Sequence, residues 1–423
     1  MSAEPFVLQD ALDLDARDEL AHFSARFELA DDLVYLDGNS LGALPRATPA
    51  RIVEVVRAEW GDDLISSWNK HGWISLPMRV GAKLARLLGA YPDEVIAADS
   101  TTVNLFKIVS AAVVLRPGRT IIVSEQRNFG TDLYVVEGLA RLLGGKHELR
   151  LVNGAAGVAA ALAEAGPRVA ALVLTHVCYR TGRMLDMAGL TRLAHQQGAL
   201  AVWDLAHSAG AVPVDLNAAG ADFAVGCGYK FLNGGPGAPA FLFAARRHLE
   251  APESARCALQ GWLGHARPFA FETAYEAAPG VRRFQVGTPP ILSLAALEVG
   301  VDIALEAPME AVRAKSLALG ELLIRLIGER CPADHGLQLV SPRDTAQRGS
   351  QLCFSHPEAY GIVQALIARR VVGDFRAPNI LRLGLTPLYT RFRHMWAAAE
   401  ALAAVLRDDE LQRPEYRTRA AVT

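Results

Sequence analysis

Five short segments constrain this chain more than anything else in it: RTIIVSE (119–125), VAALVLTHV (169–177), ALAVWDLAH (199–207), ADFAVGCGY (221–229) and APAFLFA (238–244). Each is apolar at consecutive positions instead of alternating, the pattern of strands covered by helices on both faces. Between the second and third lies DMAGLTRLAHQQG, a helical pattern closed by Gly198. Upstream, TPARIVEVVRAEW offers Thr48 as a helix cap and Pro49 at the first helical position. Helices alternating with buried strands require an α/β architecture around a large, mostly parallel sheet. After GTPPILSLAALEVGVDIALE the chain turns to long helical patterns and a few short strands, so a smaller carboxyl-terminal α+β domain is expected. The expected division is an amino-terminal segment 1–48, a large domain 49–298 and a small domain 299–423.

With 423 residues, 51% apolar and 21% charged, the chain can fill cores for roughly two or three domains. Extended disorder and disulfide-stapled miniature scaffolds are excluded by the same figures. The net charge is −2 and the Lys and Arg residues are scattered, so a small-molecule ligand is expected and nucleic acid is not. The five cysteines (Cys178, Cys227, Cys257, Cys331, Cys353) form no C-x-x-C pair, which indicates neither a zinc site nor a disulfide framework and fits a reducing compartment. MSAEPFVLQDALDLDARDEL lacks a basic-then-apolar leader pattern, and no stretch reaches the ~18 apolar residues of a membrane span. A cytoplasmic location is the expectation.

Ligands of open α/β sheets sit beyond the carboxyl ends of the strands. Thr175, Asp204, His207, Tyr229 and Lys230 all fall there. A lone lysine is ordinarily a solvated or paired one, but Lys230 is followed by FLNGGPG, whose glycines let a backbone approach a ligand closely. A neutral lysine amine condenses with an aldehyde. Asp204, at the preceding strand end, is the carboxylate that could keep a pyridine nitrogen protonated, so that the ring accepts electrons. His207 could stack or hydrogen-bond near such a ring; otherwise it is a satisfied strand-end residue. Ser100, Thr101 and Thr102 lead directly into an amphipathic helix and offer hydroxyls and free amides to a phosphate, or simply cap the helix. NFGTD (128–132) places Phe129 for ring stacking and Asp132 as a further anchor. Pyridoxal 5'-phosphate is the cofactor these groups suit.

These residues resemble the kynureninase family, within the aspartate aminotransferase-like, fold type I pyridoxal phosphate enzymes. The resemblance runs in order along nearly the whole chain: LDGNSLG (36–42), STTVNL (100–105), FGTD (129–132), DLAHSAG (204–210), GYKFLNGGPG (228–237), GWLGH (261–265), GTPPIL (287–292) and LRLGLTPLY (381–389). It implies that Lys230 carries the cofactor, that Asp204 pairs with the pyridine nitrogen, and that Thr101 and Thr102 contact the phosphate. Further cofactor contacts are implied for Phe129, Gly130, Thr131, Asp132, Thr175, His207, Tyr229, Trp262 and Thr288. Arg382 is implied to grip the substrate α-carboxylate, with Asn39 and Ser40 also in the substrate site; beyond the resemblance, Tyr229 is expected to serve as a proton donor besides its phosphate contact. The implied activity is hydrolysis of L-kynurenine, or its 3-hydroxy form, to the anthranilate and L-alanine, in tryptophan degradation and NAD precursor synthesis. A homodimer with shared sites is implied, Trp262 and Thr288 reaching across and segment 1–48 packing on the small domain and the partner. Two positions depart from the pattern: Gly130 stands where the family usually has proline, and Thr288 where some relatives have asparagine.

Two rival readings start from other residues. GNSLG (38–42) matches G-x-S-x-G of serine hydrolases, but ALPRATP separates Ser40 from the next helix, whereas that motif needs the helix at once. A cysteine desulfurase or selenocysteine lyase would share the Asp, His and Lys scaffold and need Cys331 or Cys353 as a nucleophile.

Overall fold

The computed structural model describes residues 5–250, 257–331, 334, 336–408 and 410–419. A two-residue strand β1 (Val34–Tyr35) precedes a seven-stranded sheet made of β2 (Val95–Ala97), β3 (Ile121–Glu125), β4 (Glu148–Val152), β5 (Val169–Thr175), β6 (Leu200–Asp204), β7 (Phe223–Gly226) and β8 (Phe241–Ala244). Their order is β2-β8-β7-β6-β5-β3-β4, with β4, β3, β5, β6 and β7 parallel and β8 antiparallel to both its neighbours.

Every residue of β5 and β6 is buried, and alternate residues serve opposite faces. Leu172 and Leu174 join one core layer with Leu84 and Leu190, while Ala171 and Val173 join the other with Ile108 and Val136. Trp203 is fully buried and its indole N–H donates to Thr191 Oγ1 at 3.0 Å, locking helix Met187–Gln196 onto the sheet. Loss of that side chain to alanine would cost about 3–5 kcal/mol.

The carboxyl-terminal part adds β9 (Gln338–Leu339), β10 (Gln351–Ser355), β11 (Val371–Val372), β12 (Asp374–Arg376) and β13 (Ile380–Gly384). Four of these form an antiparallel sheet in the order β12-β13-β10-β9. β1 pairs in parallel with β11, and helix Leu8–Ala16 buries Ala11 in the core shared with helix Phe392–Arg407. Helix Leu8–Ala16 and β1 thus meet the carboxyl-terminal part, while Gly42 N, later in the same segment, donates to Tyr229 O; residues 1–4 of that segment lie outside the described residues.

Three expectations shift. Helix Thr48–Glu54 is capped by Ala47, so Thr48 is its first residue and Pro49 its second. The boundary expected between 298 and 299 falls inside helix Ile291–Glu306, where Leu294, Leu297 and Val301 serve the large core and Ile303 packs with Phe23 and Leu388. One continuous helix thus belongs to both parts. Strand β7 ends at Gly226, so Tyr229 and Lys230 stand in the turn after it and not at the strand's last residues.

Candidate active site

The parallel strands deliver their ends to one place. Thr175 and Asp204 are the last residues of β5 and β6 and lie side by side in register. Beyond them is a cavity of about 450 Å³ whose walls include Thr101, Thr102, Thr131, Asp132, His207 and Lys230. Phe129, Thr175, Tyr179, Asp204 and Tyr229 line it as well. Gly130 begins helix Gly130–Leu142, with Phe129 as its extended cap residue, so the departure from proline leaves that helix start intact. Phe129 is half-exposed and meets Tyr179 edge to face, ring centroids 5.2 Å apart.

At one wall helix Thr101–Val114 starts. Ser100 caps it, its hydroxyl accepting from Val103 N at 3.3 Å, which leaves the first amides and the Thr101 and Thr102 hydroxyls for a ligand. Lys107, fully buried one turn or more inside the helix, donates to Asp99, to Asn104 Oδ1 at 3.1 Å and to Phe284 O at 2.8 Å. It thereby holds Asp99, which lines the cavity with a left-handed backbone of φ 47°.

Beside Thr175 two carboxylates meet. Burial and then the Asp204 charge push Asp132 well above the usual carboxylate range, and burial raises Asp204 too. Thr175 Oγ1 donates to Asn128 and lies 3.3 Å from Asp132 Oδ2. Two buried carboxylates facing each other call for a cation or a shared proton.

Lys230 Nζ lies 3.0 Å from His207 Nε2. The tautomer of His207 follows from its other side. Gln351 Nε2 donates to Tyr179 O at 2.9 Å and Cys178 O at 3.2 Å, which turns Gln351 Oε1 toward His207 Nδ1 at 2.9 Å. Nδ1 therefore carries the proton and Nε2 offers its lone pair to the lysine. Burial, then the Lys230 and Arg382 charges, hold the imidazole well below its usual range, so the ring stays neutral. Asn39, fully buried, reaches the same Gln351 Oε1 at 3.4 Å. Burial pushes the Tyr229 phenol up to about 12, which keeps its proton in place.

Arg382 is 1% exposed, and its guanidinium is engaged by Asp374, by Ser40 Oγ at 2.7 Å and by Tyr179 O at 2.9 Å. Trp262 and Thr288 stand outside the cavity: Trp262 is 44% exposed and packs edge to face on Phe269, and Thr288 is exposed. The structure of one chain does not bring these two to the other site residues. Gln351, Tyr179, Asp374 and Arg376 were not marked by any sequence motif, and Asn128 was given no role within NFGTD, yet these residues contact the groups that were marked.

The rival readings lose their geometry. Ser40 lies in a turn, bonded to Asp374 and the guanidiniums of Arg376 and Arg382, with no helix start behind it. The glycines of GNSLG answer a packing need: Gly42 N donates to Tyr229 O at 2.8 Å, and a Cβ at Gly42 would stand 2.3 Å from Lys230 O. Cys331 and Cys353 are buried, their thiols pushed up to about 11 and about 12 by that burial, so neither presents a thiolate.

Comparison with known proteins gives the family directly. A kynureninase of Burkholderia mallei strain SAVP1 is 50% identical over 419 residues, covering 98% of this chain and 99% of that protein. The chain belongs to the kynureninase family. A Pseudomonas fluorescens kynureninase is 48% identical over 98% of this chain and 99% of its own length, and residues 312–402 match the kynureninase C-terminal domain model. The fold is that of fold type I pyridoxal phosphate enzymes. The apo cysteine desulfurase of Thermococcus onnurineus NA1 superposes with a TM-score of 0.74 at 16% identity, over 92% of this chain and 98% of that one. A C-DES variant with glycine covalently linked to its PLP cofactor gives 0.75 at 18%, over 89% and 98%.

The cavity of this kynureninase-family chain fits pyridoxal phosphate. The paired buried carboxylates suit a protonated ring nitrogen, the first amides and the Thr101 and Thr102 hydroxyls at the helix start suit a phosphate, and Lys230 supplies an amine to the same cavity. Among the described residues, no helix is long and apolar enough to cross a membrane, and no group of His, Cys, Asp or Glu is arranged to hold a metal ion.

Proposed function

We propose that this enzyme, a pyridoxal phosphate-dependent hydrolase of carbon–carbon bonds, cleaves L-kynurenine with water to anthranilate and L-alanine through the residues gathered in this cavity. The observation that carries the reading is the convergence of Lys230, its His207 partner and the Asp132–Asp204 pair on one cavity of about 450 Å³. When bound, the cofactor draws electrons from the substrate α-carbon.

The protein's part is positional and protonic. Asp204 and Asp132 hold the ring nitrogen protonated, and Thr101, Thr102 and Tyr229 hold the phosphate. Phe129 packs on the ring face. Lys230 Nζ, 3.0 Å from His207 Nε2, would take the substrate α-proton and return it before L-alanine leaves. Water adds to the γ-carbonyl, the Cβ–Cγ bond breaks, anthranilate leaves, and Tyr229, protonated because it is buried, returns a proton to the β-carbon. Arg382 and Asn39, bonded to Tyr179 O and Gln351 Oε1, together with Ser40 mark the end assigned to the α-carboxylate.

Trp262 and Thr288 act in the site of a second copy, and their exposure on one chain supports a homodimer with shared sites. The enzyme serves tryptophan breakdown and NAD precursor synthesis in the cytoplasm. The test is a side-by-side assay of kynurenine, 3-hydroxykynurenine and L-cysteine. Anthranilate or 3-hydroxyanthranilate formation is expected, in a ratio set by the position of Thr288, and sulfide release from cysteine without either would overturn the reading.

A further inference from the structure

The end of the site that takes the carboxylate holds a second guanidinium. Arg376 and Arg382 flank Asp374, which accepts from Arg382 Nε at 2.8 Å through Oδ1 and forms an ion pair with Arg376, Oδ2 lying 2.6 Å from Nη2. Ser40 Oγ ties the two together, 2.7 Å from Arg382 Nη2 and 3.1 Å from Arg376 Nη2. The arginines differ in what remains free. Arg382 is 1% exposed, with Nε, Nη1 and Nη2 all engaged by protein oxygens. The Arg376 side chain is 36% exposed, and its Nε and Nη1 meet no acceptor among the described residues.

The charges do not close. Two guanidiniums face Asp374, while burial and the Asp374 charge push Asp37, whose Oδ1 is buried without a hydrogen-bond partner, up to about 7, so it does not supply a full second negative charge at neutral pH. The cluster therefore has room for one more anion. It also adjoins the active site: Arg382 Nη1 donates at 2.9 Å to the backbone oxygen of Tyr179, a residue that lines the cavity.

We propose that Arg376 is a second carboxylate-binding residue, its open donor edge taking the substrate α-carboxylate while Asp374 and Ser40 lock Arg382 behind it. This rests on the reading of the cavity as an amino acid site, but its test does not need turnover.

The holoenzyme is titrated with L-alanine and, separately, with ethylamine, following the absorbance of the lysine-bound cofactor. In Arg376→Gln, L-alanine binding should weaken by about ten- to a hundredfold, the loss of a charge-assisted pair. Ethylamine, which has no carboxylate, should bind as it does to the wild type. Arg376→Lys should recover part of the loss, and in steady state Arg376→Gln should raise KM for kynurenine more than it lowers kcat. Wild-type affinity of Arg376→Gln for L-alanine would overturn the proposal, as would equal weakening toward both amines. A protein that binds L-alanine in this way without cleaving kynurenine would leave the proposal standing and remove only the assigned reaction.

Discussion

His207 Nε2 faces Lys230 Nζ at 3.0 Å with its lone pair, because Gln351 holds the proton of the ring on Nδ1. The imidazole is thereby an acceptor that aims the lysine amine, and its burial keeps it from becoming a competing cation. His207→Phe keeps a ring of similar size and removes both hydrogen bonds. Cofactor should remain bound, while kcat falls by about tenfold or more. Gln351→Met should act in the same direction and less strongly, since the ring stays but its tautomer is no longer fixed; anthranilate release per bound cofactor checks both.

Asp132 is raised by burial and by Asp204, so its ionisation costs the cofactor-free fold stability. That cost is absent below about pH 4, where the carboxyl is protonated in both states, and grows as pH rises. Asp132→Asn should therefore stabilise the cofactor-free protein at pH 8 by about 1 kcal/mol or more, with the gain vanishing toward acid. The same change should weaken pyridoxal phosphate binding, because the cation then faces one carboxylate. Thermal midpoints with and without cofactor measure both effects.

How far the sequence could go is visible in particular residues. β5 and β6 were legible because they are apolar on both faces, whereas β4 was not, because its edge position leaves Glu148 and Leu151 exposed and mixes charges into the strand. Lys230, Asp204, Thr101 and Thr102 were legible because ends of neighbouring strands and helix starts meet by topology alone. Gln351 and Arg376 were not, since they come from β10 and β12 of the carboxyl-terminal sheet, and no local spacing says that one meets His207 after β6 and the other Ser40 after β1. Trp262 and Thr288 show the limit from the other side: the family pattern names them, and a single chain leaves them outside the cavity.

Asp37 is pushed up to about 7, first by burial and then by the Asp374 charge, against Arg382, Arg376 and the Ser40 hydroxyl, which favour its ionised form. The phenols of Tyr35 and Tyr389, also raised, stay protonated beside it. As pH rises through 7, Asp37 gains a negative charge beside the carboxylate site, so KM for kynurenine should climb by about tenfold between pH 6 and 8.5. Asp37→Asn should flatten that rise, as read from KM across the pH series.

Asp222, 1% exposed, anchors the back of the sheet: it accepts from Ala201 N, from His195 and His248 at 2.7 Å each, and from Arg247 at 2.7 Å. Although burial opposes it, these partners depress its carboxyl far below the usual range. The stabilisation is full above the unfolded carboxyl value near 4 and is lost as pH falls toward the folded one. Asp222→Asn should cost about 3 kcal/mol at neutral pH, and the gap to the wild type should narrow below about pH 4 in urea unfolding.

The most direct test is to mix the purified holoenzyme with L-kynurenine and follow anthranilate fluorescence, with Lys230→Ala carrying bound cofactor as the control. The wild type should release anthranilate and L-alanine in equal amounts, and Lys230→Ala should release none. Wild-type protein with cofactor seated in the cavity and no anthranilate, or full turnover by Lys230→Ala, would contradict the account.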